Sequence, residues 1–196
     1  MKTILFNPFE KYTAEKLILF GFLLTVIGII LGVSFSARFD GVLDLHFVTT
    51  KVNYVNLITD ISINILCVTI TFLIGAKIIN IKTRLIDIIA TVVISRSPLY
   101  ILSVFNINNY MGKISETVLQ DNNLNLESNI EFSAFDLTYM VLFGLIAILT
   151  SVWHIALLFS GFKTAANAKG TKSIILFITA IVIAEILSKI IFYNIN

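Results

Sequence analysis

The 196-residue sequence is poor in charge. Charged residues make up 13% and hydrophobic residues 57%, with a mean hydropathy of +0.94. Soluble domains carry about 25% charged and about 45–50% apolar residues. So few charges leave too little polar surface for a water-facing protein of this size. This deficit excludes a soluble globular enzyme, a disordered chain and a nucleic-acid binder, whose binding surface would need clustered Lys and Arg.

Residues that bind metals or perform nucleophilic chemistry are also scarce. Cys67 is the one cysteine, which excludes a disulfide framework and a cysteine-based zinc site. The two histidines, His46 and His154, fall on different sides of the predicted membrane and have no carboxylate at ligand spacing. The motifs H-E-x-x-H and G-x-S-x-G and a phosphate-binding glycine loop do not occur. The sequence therefore predicts a protein that is not an enzyme and holds no metal or cofactor.

Long apolar segments are abundant instead. A helix needs about 20 mostly apolar residues to cross a bilayer core of about 30 Å. Five segments meet this length: residues 17–37, 57–79, 85–105, 137–162 and 173–193. They predict an all-α integral membrane protein, a five-helix transmembrane bundle with one membrane domain over residues 17–195. Residues 1–16 are predicted to form a cytoplasmic N-terminal segment.

The charges between these segments predict an orientation. Nine Lys and Arg residues fall on the side that holds the N-terminus and four on the other. Because cytoplasmic loops carry the excess of Lys and Arg, we expect the N-terminus inside and the C-terminus outside the plasma membrane. The first set is Lys2, Lys11, Lys16, Lys77, Lys82, Arg84, Lys163, Lys169 and Lys172, and the second is Arg38, Lys51, Lys113 and Lys189.

Two pieces lie outside the predicted spans. Asn7, Pro8 and Glu10 have the pattern of a helix start, with an N-cap, a proline in the first turn and a capping-box acid. This pattern fits either a short interfacial helix or a plain extension of the first span. Residues 106–134 are rich in Asn and Glu and have no apolar period, so we expect an outer loop there.

Ionisable residues inside the spans are the most informative feature. A central Arg or Asp costs about 2.5–3.5 kcal/mol, so each should face a partner or water. Opposite charges fall at matching depths, which predicts three pairs: Arg96 with Glu185, Asp60 with Lys189, and Asp87 with Lys77. Either these pairs only join the second, third and fifth helices, or Arg96 and Glu185 form a binding or conduction site. For Lys77 and Lys189, contact with lipid headgroups is a further alternative.

The third and fourth spans carry two more polar landmarks. Pro98 lacks a backbone donor and should free the carbonyl near residue 94, so the third helix should bend beside Arg96. His154 follows Trp153 in the fourth span. A lone membrane histidine is more often an interhelical hydrogen-bonding group than a proton relay.

The sequence resembles the Yip domain family, named for interaction with Ypt/Rab GTPases and also found in bacteria. The resemblance covers residues 10–195 and lies in the five-span layout, in Arg96-Ser97-Pro98, in the run that begins with Trp153-His154, and in the basic turn 163–172 before a last span with Glu185. It implies a bacterial-type plasma-membrane protein. With only about sixteen residues before the first span, a GTPase-binding role is not expected.

Two functions follow from these observations. The first is a non-enzymatic membrane protein that binds partners or organises the bilayer through its inner basic turns, which would meet anionic lipids or an acidic protein. Those turns carry Lys82, Arg84, Lys163, Lys169 and Lys172. The alternative is a small transporter, channel or transporter subunit that uses Arg96, Glu185 and His154 within the membrane.

Overall fold

The computed structural model describes residues 5–124 and 132–195. The fold is a helical bundle with five helices that are long and apolar enough to cross a membrane, as predicted. Four are continuous: α1 (Ala14–Ser34), α2 (Tyr54–Ile79), α6 (Ala134–Ala166) and α7 (Thr171–Ile195). Each begins and ends within about four residues of the predicted span. One end of the bundle holds residues 80–87 and 163–172 and is called the basic end. The other end holds residues 35–53 and is called the acidic end.

The third span is broken into pieces. It consists of α3 (Leu85–Ser95), α4 (Ser97–Ile101), an irregular 3-10 segment (Leu102–Asn109) and α5 (Tyr110–Leu124). The break lies where the sequence predicts a bend, because Pro98 has no N–H for the carbonyl of Ile94. The Ser97 hydroxyl donates to that carbonyl at 2.8 Å. A side chain next to the proline thus replaces the missing backbone bond.

The predicted outer loop 106–134 differs most from the structure, because residues 110–124 form α5. Met111 and Ile114 are buried on one face of this helix. The amide of buried Asn106 donates to the Phe35 carbonyl at 2.7 Å and ties the segment to the first connection. With only these two apolar side chains on its buried face, the segment shows too weak a helical period for α5 to be predicted from the sequence. Residues 125–131 of the predicted loop lie outside the described residues.

The N-terminal segment forms one turn. A 3-10 helix covers Pro8–Glu10, and Asn7 precedes it without the side-chain hydrogen bond of a cap. The proline is at the start of the turn as expected, but α1 begins afresh at Ala14. Residues 1–4 lie outside the described residues.

Tight packing joins the helices at the core. Phe72 of α2 packs edge-on against Phe162 of α6 at 5.2 Å between ring centroids and against Phe177 of α7 at 5.5 Å. On α1, an added Cβ at Gly28 would lie 2.5 Å from the Tyr100 ring, and one at Gly32 would lie 2.8 Å from Leu57. The small-residue pair of α1 therefore packs within the chain.

The connection between α1 and α2, residues 35–53, is the feature that the sequence did not indicate. Strands β1 (Ala37–Arg38) and β2 (His46–Phe47) pair antiparallel at its base. The residues between them fold back into the bundle, where Phe39 and Val42 are completely buried. We call residues 35–53 the re-entrant loop.

Candidate functional site

The re-entrant loop is held by polar side chains of α2 and α7. Glu185 accepts the backbone N–H groups of Val42 at 2.8 Å and Leu43 at 3.1 Å. Asn64 donates to the carbonyl of Phe39 at 2.6 Å. Asn64 lies ten residues inside α2, which at 1.5 Å per residue places this contact about 15 Å from the helix end. The loop tip therefore reaches deep into the bundle.

These hydrogen bonds explain why polar side chains occur in otherwise apolar helices. Non-helical backbone in an apolar interior leaves N–H and C=O groups unpaired, which costs several kcal/mol for each group. Glu185 and Asn64 satisfy such groups in the loop. Gly41 allows the close approach, since an added Cβ would lie 2.8 Å from a Glu185 carboxylate oxygen.

The loop also supplies its own charges to the bundle. Arg38 donates to both oxygens of Asp60 on α2, at 2.8 and 2.9 Å, and Asp60 is 1% exposed. The hydrogen bonds from Arg38 to Asp60 raise the pKa of the guanidinium despite partial burial. Asp44 of the loop accepts from Lys189 of α7 at 2.5 Å. Two helices are thus bound to the loop by ion pairs.

Asp40 is a further charged residue of the loop. Its carboxylate lies 2.9 Å from the His46 ring nitrogen. Burial opposes ionisation of Asp40, but the hydrogen bond with His46 and nearby positive charge lower the net pKa of the carboxyl. A carboxyl with a lowered pKa stabilises the folded state above its ordinary pKa, and this contribution is lost as the pH falls.

The three predicted pairs are not formed, because each acid has another partner. Asp60 pairs with Arg38, Glu185 binds loop backbone, and Asp87 pairs with Arg84 at 2.8 Å on the surface. Lys189 pairs with Asp44, while Lys77 is exposed. Matching depth would identify ion pairs if charged residues paired only between helices. Here the re-entrant loop supplies the partners of Asp60, Glu185 and Lys189 instead.

Arg96 is the exception among these charges. Its side chain is 1% exposed, the largest fully buried one among the described residues, and lies at the break between α3 and α4. Its Nε, Nη1 and Nη2 atoms have no hydrogen-bond partner among the described residues. Removal of a charged side chain from water without a partner costs several kcal/mol. The buried guanidinium therefore carries a positive charge that no described carboxylate compensates.

His154 of α6 lies beside this break. Its Nδ1 is 2.5 Å from the Ser95 carbonyl, which is left free because the Leu99 N–H donates to the Arg96 carbonyl. A carbonyl only accepts, so Nδ1 carries the proton and donates between helices. The backbone of Val42 also lies close to the ring. His154 thus joins the broken helix to the loop tip.

Unlike the charged side chains around the re-entrant loop, the cationic side chains at the basic end are exposed, and most of them are unpaired among the described residues. All five residues predicted to contact lipid or a partner are exposed: Lys82, Arg84, Lys163, Lys169 and Lys172. Arg84 pairs with Asp87. The four lysines make no ion pair with any described residue. Their positive charge therefore remains available to a ligand outside the chain.

The loop contacts lead to a first prediction. Replacement of Glu185 by leucine should release the loop tip, because the N–H groups of Val42 and Leu43 lose their acceptor. In a Cys67→Ala background, Val42→Cys should be protected from a membrane-impermeant thiol reagent when Glu185 is present and labelled in the Glu185→Leu variant. Leu43→Cys is the control, since Leu43 is exposed in the intact loop. Continued protection of position 42 in the variant would contradict the assigned role of Glu185.

Comparisons with known proteins leave the family open. No family model matches the chain, and no curated protein or solved structure matches it. Among the described residues, no group of three His, Cys, Asp or Glu side chains could hold a metal ion. The resemblance to the Yip domain family stays a prediction that rests on Arg96-Ser97-Pro98 and the segment beginning at Trp153.

Proposed function

We propose that the chain is a multi-pass membrane protein with its basic end in the cytoplasm and its acidic end outside the plasma membrane. Five long apolar helices support insertion. The lysines of the basic end and the acids of the re-entrant loop support the orientation, because cytoplasmic loops carry the excess of positive charge.

The role proposed for the protein is non-enzymatic: its basic end binds anionic lipid headgroups and thereby organises the surrounding bilayer. The observation that carries this proposal is the contrast between the two ends. Asp60, Glu185 and Lys189 are engaged in holding the loop, whereas Lys82, Lys163, Lys169 and Lys172 are exposed and have no acidic partner among the described residues. A lysine near an anionic membrane surface contributes about 1 kcal/mol to binding.

A lipid-binding experiment tests this role. The purified protein is titrated in neutral detergent micelles with phosphatidylglycerol or with phosphatidylcholine, and its Tm is followed by the reaction of buried Cys67 with a thiol-reactive fluorophore. Phosphatidylglycerol should raise the Tm more than phosphatidylcholine does, because its headgroup is anionic. The double change Lys163→Gln and Lys172→Gln should weaken the apparent binding by about 2 kcal/mol.

A matched control comes from the acidic end. Lys51 and Lys113 are also exposed, so the double change Lys51→Gln and Lys113→Gln removes equal charge from the other end. This control should retain the preference for phosphatidylglycerol. Equal losses in both double variants, or an equal response to the two lipids, would refute specific binding at the basic end.

Transport of a small solute is a second candidate function, favoured by Arg96 alone. Its guanidinium lies in the bundle interior with unsatisfied donors, an arrangement that is typical of ligand-binding groups in membrane proteins. Of the residues that suggested transport, Glu185 is occupied by the loop. His154 bonds Ser95 through Nδ1, and its Nε2 has no hydrogen-bond partner among the described residues. This candidate therefore depends on whether Arg96 binds a ligand.

A further inference from the structure

Three unsatisfied nitrogens on one buried guanidinium require an explanation. A guanidinium has five N–H donors and no acceptor, and it stays protonated in proteins. Arg96 has neither a hydrogen-bond partner nor an ion pair among the described residues. Something that accepts hydrogen bonds therefore completes this position in the folded protein.

Candidate counter-charges within the chain are already used. The Asp60 carboxylate binds Arg38 through both oxygens, and Glu185 accepts two loop N–H groups. His154 faces the Ser95 carbonyl through Nδ1, and its Nε2 has no hydrogen-bond partner among the described residues; the ring adds no negative charge. Water would supply acceptors for Arg96 but would leave its charge uncompensated. A ligand that carries negative charge satisfies both requirements.

The surroundings limit the size of such a ligand. Ser95, Leu99 and Tyr100, which flank Arg96 along the chain, are all buried. The loop tip at Val42 is also completely buried and lies near His154. Because these neighbours are buried, a ligand at Arg96 must be a group of a few atoms and not a lipid headgroup or a nucleotide.

We propose that Arg96 binds a small monovalent anion, of the size of a halide or a short carboxylate, inside the bundle. The guanidinium donates to the anion, and the charge of the anion replaces the absent carboxylate partner. This site is distinct from the exposed lysines of the basic end and does not depend on the lipid-binding role proposed for them.

Anion-dependent stability tests the site. The Tm of the purified protein is measured in sodium chloride, in sodium bromide and in sodium gluconate at equal ionic strength, with Cys67 reactivity as the readout. Because a ligand stabilises the state that binds it, a tenfold excess of halide over its Kd should raise the Tm by about 3–6 °C relative to gluconate. The Arg96→Gln variant should lose this difference.

Two further variants keep the result interpretable. Arg38→Gln removes a paired guanidinium, so it should lower the Tm but keep the halide effect. If Arg96→Gln does not fold, Arg96→Lys retains the charge and should keep a weaker halide effect. Excess broadening of the chloride-35 resonance by the wild-type protein, reduced with Arg96→Lys at low chloride, would report the bound ion directly.

Two outcomes would overturn the proposal. If the wild-type protein has the same Tm in all three salts and causes no excess chloride-35 broadening, Arg96 is hydrated and binds no anion. A halide effect that survives in Arg96→Gln would originate from exposed cations elsewhere on the protein.

Discussion

Replacement of Asp60 by alanine is expected to lower the free energy of unfolding by about 3–5 kcal/mol, because removal of one partner from a buried ion pair leaves the other charge uncompensated. Asp60 is 1% exposed and binds Arg38 through both oxygens. Arg38 keeps 18% of its side chain exposed, so we expect the lower part of this range. Thermal unfolding followed by Cys67 reactivity measures the change.

A matched control for this prediction lies at the basic end. Asp87 accepts from Nε and Nη2 of Arg84 in the same fork geometry, but the Arg84 side chain is 70% exposed. Exposed pairs contribute about 0–1 kcal/mol, so Asp87→Ala should have a small effect. The double change Arg38→Met and Asp60→Leu should recover much of the stability, because neither charge then remains buried. Equal losses from Asp60→Ala and Asp87→Ala would show that burial of the pair is unimportant.

The helices could be predicted from the sequence because each depends on a local pattern. Residues 17–37 and 137–162 carry no charge at all, and Pro98 determines where the third span breaks through its own missing N–H. Such features require no knowledge of distant residues. The sequence therefore predicted the five long apolar helices and the position of the break beside Pro98, as the structure has them.

The re-entrant loop could not be predicted in the same way. Its path depends on contacts between residues more than a hundred positions apart, such as Val42 with Glu185. The loop sequence mixes Arg38, Asp40 and Asp44 with apolar residues and has no helical period. Acids and lysines in the helices were recognised as needing partners, but the partners were sought among other helices. The sequence offered one indication of the loop: α2 and α7 contain more hydrogen-bonding residues than contacts between helices explain.

The loop gives the intramembrane charges one common purpose. Asp60 binds Arg38, Glu185 binds the loop backbone and Lys189 binds Asp44. A structural role for these residues is therefore better supported than a role in binding or conduction. Arg96 differs from them because none of the residues that the structure describes accepts a hydrogen bond from its guanidinium. The buried charge that the described residues leave unpaired is therefore the best place to search for a ligand.

Replacement of Gly28 by alanine is expected to destabilise the protein by about 1–3 kcal/mol, although alanine normally favours a helix over glycine by about 1 kcal/mol. The added Cβ would lie 2.5 Å from two atoms of the Tyr100 ring. This ring cannot easily move, because it packs edge-on against Phe39 at 5.3 Å and its hydroxyl lies 3.3 Å from the Thr25 hydroxyl. α1 must therefore move away from the broken third helix.

Gly144 provides the opposite expectation within the same protein. It lies in the interior of α6, ten residues after the first, and an added Cβ there would meet no described atom within 4 Å. Gly144→Ala should therefore raise the free energy of unfolding by up to about 1 kcal/mol through helix propensity alone. Both variants are compared with the wild type by thermal unfolding in the same detergent. A stabilising effect at both positions would mean that α1 does not pack closely on Tyr100, and that the site around Arg96 is more open than the structure indicates.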